Sequence, residues 1–297
     1  MTRHRLEVVT AFFAGVLLTL AVGGPVQAGG HNCRPAWKCN PPTARVSLPA
    51  PTATSLVPTV APTSPPVPTP PPTASAYSLD EECSGPGLNP AWSALYGPGD
   101  PGDRLDTDTM GDLRQVSVAG GICTLTVERK QTPSGRPFAG AAMAPYGTFG
   151  QRFGTYEARI RYDEAKGTWP SLFLLPVGQK GPYPEIDVFE AYGDPACLGP
   201  GALVSAVHYA GEMTSDYRVV PVSSSSGWHV QRLSWTAAAV TFSIDGAVTF
   251  TTAAHVPQVA MYPIVVAGVG ANNPACRADA TTPSPLVLQL DYLRVSP

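Results

Sequence analysis

Charge is scarce in this chain of 297 residues: 14% are Asp, Glu, Lys or Arg, and the formal net charge is −3. So little charge leaves no basic patch in the body of the chain, which argues against nucleic acid and anionic membranes as partners. Helical patterning is missing too. No window sets apolar residues at a 3.6-residue period between capping residues, which turns attention away from helical folds. No C-x-x-C pair occurs, so a zinc site has little support. Beyond about Val22 no apolar run is long enough to span a bilayer.

Proline and glycine are abundant instead, at 34 and 29 residues, and they divide the chain. Residues 1–28 read as a secretory signal peptide. Arg3, His4 and Arg5 precede an apolar stretch, and "VQA" ending at Ala28 is a small-x-small cleavage site. An uncleaved anchor is the alternative. A soluble, extracellular protein is expected after cleavage, free of the membrane and compatible with attachment to a cell wall. Residues 29–40 hold Trp37 inside a short Cys33–Cys39 loop, either a closed tail or a surface-docking knob. Residues 41–76 contain twelve prolines, eleven Ser or Thr and one charge, Arg45. Such a segment buries nothing and favours polyproline II, a spacer reaching roughly 110 Å at about 3.1 Å per residue.

Six cysteines suit an exported chain and imply three disulfides, with fifteen connectivities open. Cys33 and Cys39 lie beyond the linker and pair most simply with each other. Cys83 with Cys123 and Cys197 with Cys276 is the expected remainder.

From 77 to 297 the texture is that of short strands. "CTLTVERK" alternates Cys123, Leu125 and Val127 with polar residues, and "TYEARIRY" alternates Tyr156, Ala158, Ile160 and Tyr162 with charged ones. "VTFSIDGAVTFTT" forms two arms around Asp245-Gly246, a two-residue hairpin signal. "LVLQLDYLRV" is expected to place Leu286, Leu288, Leu290 and Tyr292 on one buried face. About 220 residues of this kind suit one all-β sandwich or barrel.

One strand-like run, "PEIDVFEAYG" at 184–193, carries three acids, Glu185, Asp187 and Glu190. On a regular strand Glu185 and Asp187 share a face and Glu190 points away. A single β-bulge at Val188-Phe189 absorbs the odd residue and returns Glu190 to the face of the other two. Paired carboxylates beside a cleft are the machinery of glycoside hydrolysis, and the retaining route needs them about 5–5.5 Å apart. Two Glu separated by four strand residues have Cα atoms roughly 13 Å apart, and side chains leaning inward cover about 4 Å each.

"EIDVFE" resembles the bulged E-x-D-x-x-E signature of glycoside hydrolase family 16. Collinear segments agree: "GLNPAWS" at 87–93, "FGTYEARIRY" at 153–162, "GTWPSLFLLP" at 167–176 (similar to "GxWPAFWLLP"), "GWHVQRLSW" at 227–235 and "LQLDYLRV" at 288–295. The resemblance implies a β-jelly-roll sandwich of the concanavalin A-like class, with a concave substrate cleft. It also implies roles: Glu185 as nucleophile, Glu190 as acid/base and Asp187 as the helper between them. Trp169 is a candidate sugar-stacking platform and His208 a candidate hydrogen-bond partner of substrate. His229 and Trp235 are expected in the core.

The activity so implied is that of a retaining endo-β-glycanase whose bulged signature leans towards 1,3-β-glucan of the laminarin type. Galactans such as agarose and carrageenan, transglycosylation and a non-catalytic glycan-binding role on a wall-spanning stalk are the alternatives. The expected partner is a polysaccharide and the expected state a monomer. No cofactor is required and no metal ligand is assigned. A structural calcium is common in the family, and no acidic loop here identifies one. Phe173 stands where the family usually has a second Trp, and "GVGANNP" at 268–274 replaces a frequent "GG".

Overall fold

The computed structural model describes residues 77–93, 108–178, 184–193, 197–198, 201–209, 214–222, 227–270 and 276–297. The expected signal peptide, the Cys33–Cys39 loop and the proline-rich linker lie outside the described residues. The alternating segments become strands, and fifteen are present among the described residues. In chain order they are β1 Leu79–Glu81, β2 Thr109–Gly111, β3 Val116–Ala119, β4 Ile122–Arg129, β5 Phe138–Met143, β6 Gly154–Tyr162, β7 Thr168–Pro176 and β8 Glu185–Ala191. They continue with β9 Ala202–Tyr209, β10 Thr214–Pro221, β11 His229–Trp235, β12 Val240–Ile244, β13 Ala247–Thr252, β14 Met261–Val269 and β15 Leu286–Ser296.

Two layers result. One runs β10-β9-β8-β7-β14-β5 and the other β4-β15-β6-β11-β12-β13, joined where β5 pairs with β4. All pairings along this path are antiparallel, and β2 adds to β5 in parallel. Leu172, Leu174, Ile186, Leu203 and Val207 of the first layer face Tyr156, Ile160, Leu233, Phe242, Leu288 and Leu290 of the second. This is a β-sandwich of the jelly-roll class. Its interlayer core explains the alternation of β4 and β6, which bury every second residue against it.

Strands β7, β8 and β14 behave differently, because they are covered on both faces. "TWPSLFLLP" and "MYPIVVAGV" are buried throughout. Their second face belongs to a separate apolar cluster containing Trp169, Phe173, Tyr192, Tyr262 and the Cys197–Cys276 disulfide. Cys83 pairs with Cys123, tying the segment after β1 to β4. Both of these pairings are the ones expected from sequence. Among the described residues, no helix is long and apolar enough to cross a membrane.

Three local outcomes are informative. Asp245 (φ 50°) and Gly246 (φ 82°) form the two-residue turn between β12 and β13, both in the left-handed region that this hairpin demands. The expected alternation along β15 fails after Leu290. A register shift between Leu290 and Tyr292 turns Tyr292 outward, where its hydroxyl donates to Glu157 Oε1 at 3.0 Å, and Leu293 and Val295 take over the buried face. His229, expected in the core, lies partly exposed beside the hairpin turn with Nδ1 2.7 Å from Asp245 Oδ2, whereas Trp235 is fully buried.

Candidate active site

The three acids lie on β8, between β7 and β9. Glu185 stands opposite His208 and Asp187 opposite Ala206, but Glu190 stands opposite Val204. On the other side Asp187 pairs with Phe173 and Glu190 with Ser171. Between Asp187 and Glu190 the strand therefore takes three steps while each neighbour takes two. The extra residue is a β-bulge at Val188-Phe189. Both bulge side chains enter the interlayer core, where Phe189 stacks on Tyr162 with ring centroids 5.9 Å apart. Because two consecutive residues point inward, Glu190 emerges on the face of Glu185 and Asp187. Measured against β9, Glu185 and Glu190 stand opposite residues four apart, a Cα separation of about 13 Å.

Apolar surroundings fix the acids. Asp187 is 1% exposed and Glu190 2%, and Glu185 is partly buried. His208 Nε2 lies 2.8 Å from Asp187 Oδ2. One ligand atom each from Glu185, Asp187 and His208 falls within 4.8 Å of the others, a set of donors of the kind that can hold a cation. The Nε2–Oδ2 contact already commits Asp187 and His208 to each other. The indole of Trp169 donates from Nε1 to Glu190 Oε1 at 2.9 Å.

Trp169 packs against Gly268 on β14, where an added Cβ would come within 3.3 Å of its Cε3, a tight contact that the indole would have to yield to. Trp169 is 6% exposed, so the structure places it as a wall of the site that holds an acid, and it places His208 on Asp187.

Residues that sequence reasoning did not single out complete the picture. Ser171 is fully buried directly across from Glu190. Ser205 donates from Oγ to the carbonyl of Val188 at 2.8 Å. Tyr217 on β10 pairs with Ala206, which pairs with Asp187, so it sits on the same face two strands away at 39% exposure. A single serine in the mostly apolar run "ALVSAVHY" is the signal available for Ser205.

A jelly roll with an acid trio on one bulged strand defines a class of carbohydrate-active folds. The family model for "Glycosyl hydrolases family 16" matches residues 104–284, more than half of the sequence, and the chain belongs to that family. The protein resembles Endo-1,3-1,4-beta-glycanase EglC of Rhizobium meliloti (strain 1021), with 28% identity over 138 residues, 44% of this chain and 29% of that protein. It also resembles Glucan endo-1,3-beta-glucosidase A1 of Niallia circulans, with 26% identity over 175 residues, 48% of this chain and 24% of that one. The chain thus spans well under two thirds of the length of these curated relatives. Among solved structures, the laminarinase catalytic domain from Thermotoga maritima MSB8 superposes with a TM-score of 0.65 at 20% identity, covering 74% of this chain and 96% of that one. That likeness is one of fold.

Proposed function

We propose that this protein is a secreted, retaining endo-β-glycanase that cuts internal bonds of 1,3-β-glucan. The observation that carries the reading is the bulge. It places Glu190 on the face of Glu185 at the spacing of residues four apart. Two side chains of about 4 Å leaning together across that span leave about 5 Å between carboxyl groups, too little for an intervening water. Membership of the family and the names of its relatives, an endo-1,3-1,4-beta-glycanase and a glucan endo-1,3-beta-glucosidase, support the substrate.

The chemistry follows from the contacts. Glu185 attacks the anomeric carbon while Glu190 protonates the departing glycosidic oxygen. The indole N–H of Trp169 can only donate, so Oε1 of Glu190 is an acceptor and the acid's proton resides on Oε2. Once the leaving sugar has gone, the Glu190 carboxylate takes a proton from the water that releases the glycosyl group. Asp187, held by His208, adds its charge or hydrogen bond beside the nucleophile, as the family resemblance assigns. The signal peptide at residues 1–28 supplies the route of export in this reading.

Proton NMR during the first turnover of laminarin tests the mechanism and the substrate together. The β-anomer is expected first, in products released from inside the chain. An initial α-anomer refutes the retaining geometry. β-Anomers from agarose with laminarin untouched keep the mechanism and remove the glucan.

A further inference from the structure

We propose that Ser205 is the positioning residue of the bulge, setting the stance of Glu190 separately from that of Glu185. The inference rests on the retaining reading above. An extra residue in a strand leaves backbone groups outside the regular ladder. Buried carbonyls in proteins are nearly always given a partner. Here the carbonyl is that of Val188, and the partner is the Ser205 hydroxyl at 2.8 Å, with both residues 1% exposed.

The placement of Ser205 is specific to the irregularity. It lies on β9 between Ala206, opposite Asp187, and Val204, opposite Glu190, so it faces the gap in register. Its side chain points to the interlayer side, away from the cleft, among Leu203, Val207, Val188 and Phe189. It therefore acts through the backbone of β8, without touching substrate.

The acids divide around this pin. Glu185 and Asp187 precede the bulge and are held by ladder pairing to His208 and Ala206 and by the Asp187–His208 contact. Glu190 follows it, paired with Ser171 and Val204 and held at Oε1 by the Trp169 N–H, and the path of the chain through Val188-Phe189 sets where its Cα stands between those partners. Losing the Ser205 hydroxyl should impair steps that need proton transfer by Glu190 and spare attack by Glu185.

The test compares full-length wild type with Ser205→Ala and Ser205→Cys, the latter nearly isosteric and a weak donor. Two substrates are used: laminarin, whose leaving group needs a proton, and 2,4-dinitrophenyl β-laminaribioside, whose leaving group does not. For laminarin kcat/KM should fall about 10- to 100-fold in both variants, within the range lost when general acid catalysis is disabled. For the aryl glycoside it should stay within about twofold, because glycosylation then depends on Glu185 alone. Equal losses on both substrates, or none on either, overturn the proposal while leaving the enzymatic reading standing. A wild type inactive on both substrates removes that reading and this inference with it. The cysteine variant keeps the test decisive if the alanine variant does not fold.

Discussion

Replacing Trp169 with Phe isolates a single proton donor. The phenyl ring retains the apolar contact with Gly268 and loses the N–H that reaches Glu190 Oε1 at 2.9 Å between two buried side chains. Hydrogen bonds to a charged acceptor are worth about 1.5–3 kcal/mol and to a neutral one about 0.5–1.5 kcal/mol. The N–H therefore favours the carboxylate over the carboxylic acid by roughly 1–1.5 kcal/mol, and one pH unit corresponds to about 1.4 kcal/mol. Removing it lets the proton-donating form of Glu190 persist to higher pH. The alkaline limb of kcat/KM on laminarin, which reports the essential acid of the free enzyme, should move up by about one pH unit. Unfolding midpoints measured alongside separate this from a loss of fold. An alkaline limb that stays in place, or moves down, while the variant remains folded would refute the role given to the indole.

Two further outcomes follow from the geometry. Asp80 on β1 is raised from 3.8 to about 6 by burial and by its hydrogen bond with, and the charge of, Glu82, against the pull of Arg294. Its folded pKa exceeds the unfolded one, so between about pH 4 and 6 the folded state binds more protons and stability falls as pH rises. Allowing for solvent screening at this partly exposed site, Asp80→Asn should stabilise the protein by about 1 kcal/mol at pH 7 and by nothing at pH 4 in urea titrations. Equal effects at the two pH values contradict this. Tyr217→Ala should raise KM for laminarin about 5- to 30-fold with kcat unchanged, the loss of about 1–2 kcal/mol of apolar contact made equally in ground and transition states. An unchanged KM removes Tyr217 from the substrate path.

The acid cluster was legible because its spacing conflicts with strand period: five residues from Glu185 to Glu190 can serve one face only if the strand slips by one. The hairpin at Asp245-Gly246 was legible because that turn requires two left-handed residues, and few residue pairs accept them. Tyr292 was misplaced because the same slip, here between Leu290 and Tyr292, lacks any marker comparable to misaligned acids. An aromatic residue between Asp291 and Leu293 fits either phase. His229 turned outward because the hairpin beside it supplied Asp245 as a partner. Trp169 and His208 stand out in the sequence as candidate substrate contacts, but their hydrogen bonds to Glu190 and Asp187 do not. Hydrogen bonds between strands depend on register, and the pattern of one strand alone does not fix which residues of the next it faces. Ser205 escaped notice for that reason.

The order of strands also bears on how the protein is made. β14, at residues 261–269, inserts between β7 and β5, which leave the ribosome about a hundred residues earlier. Until it arrives, the layer that carries the acids exists as two fragments with open edges, and open strand edges invite pairing with other chains. The Cys197–Cys276 bond has to wait for the same late segment, since its partners lie 79 residues apart. Synthesis from the N-terminus thus builds the acid-bearing strand before the scaffold that closes around it. Such a chain gains from being kept unfolded until its last strands are available.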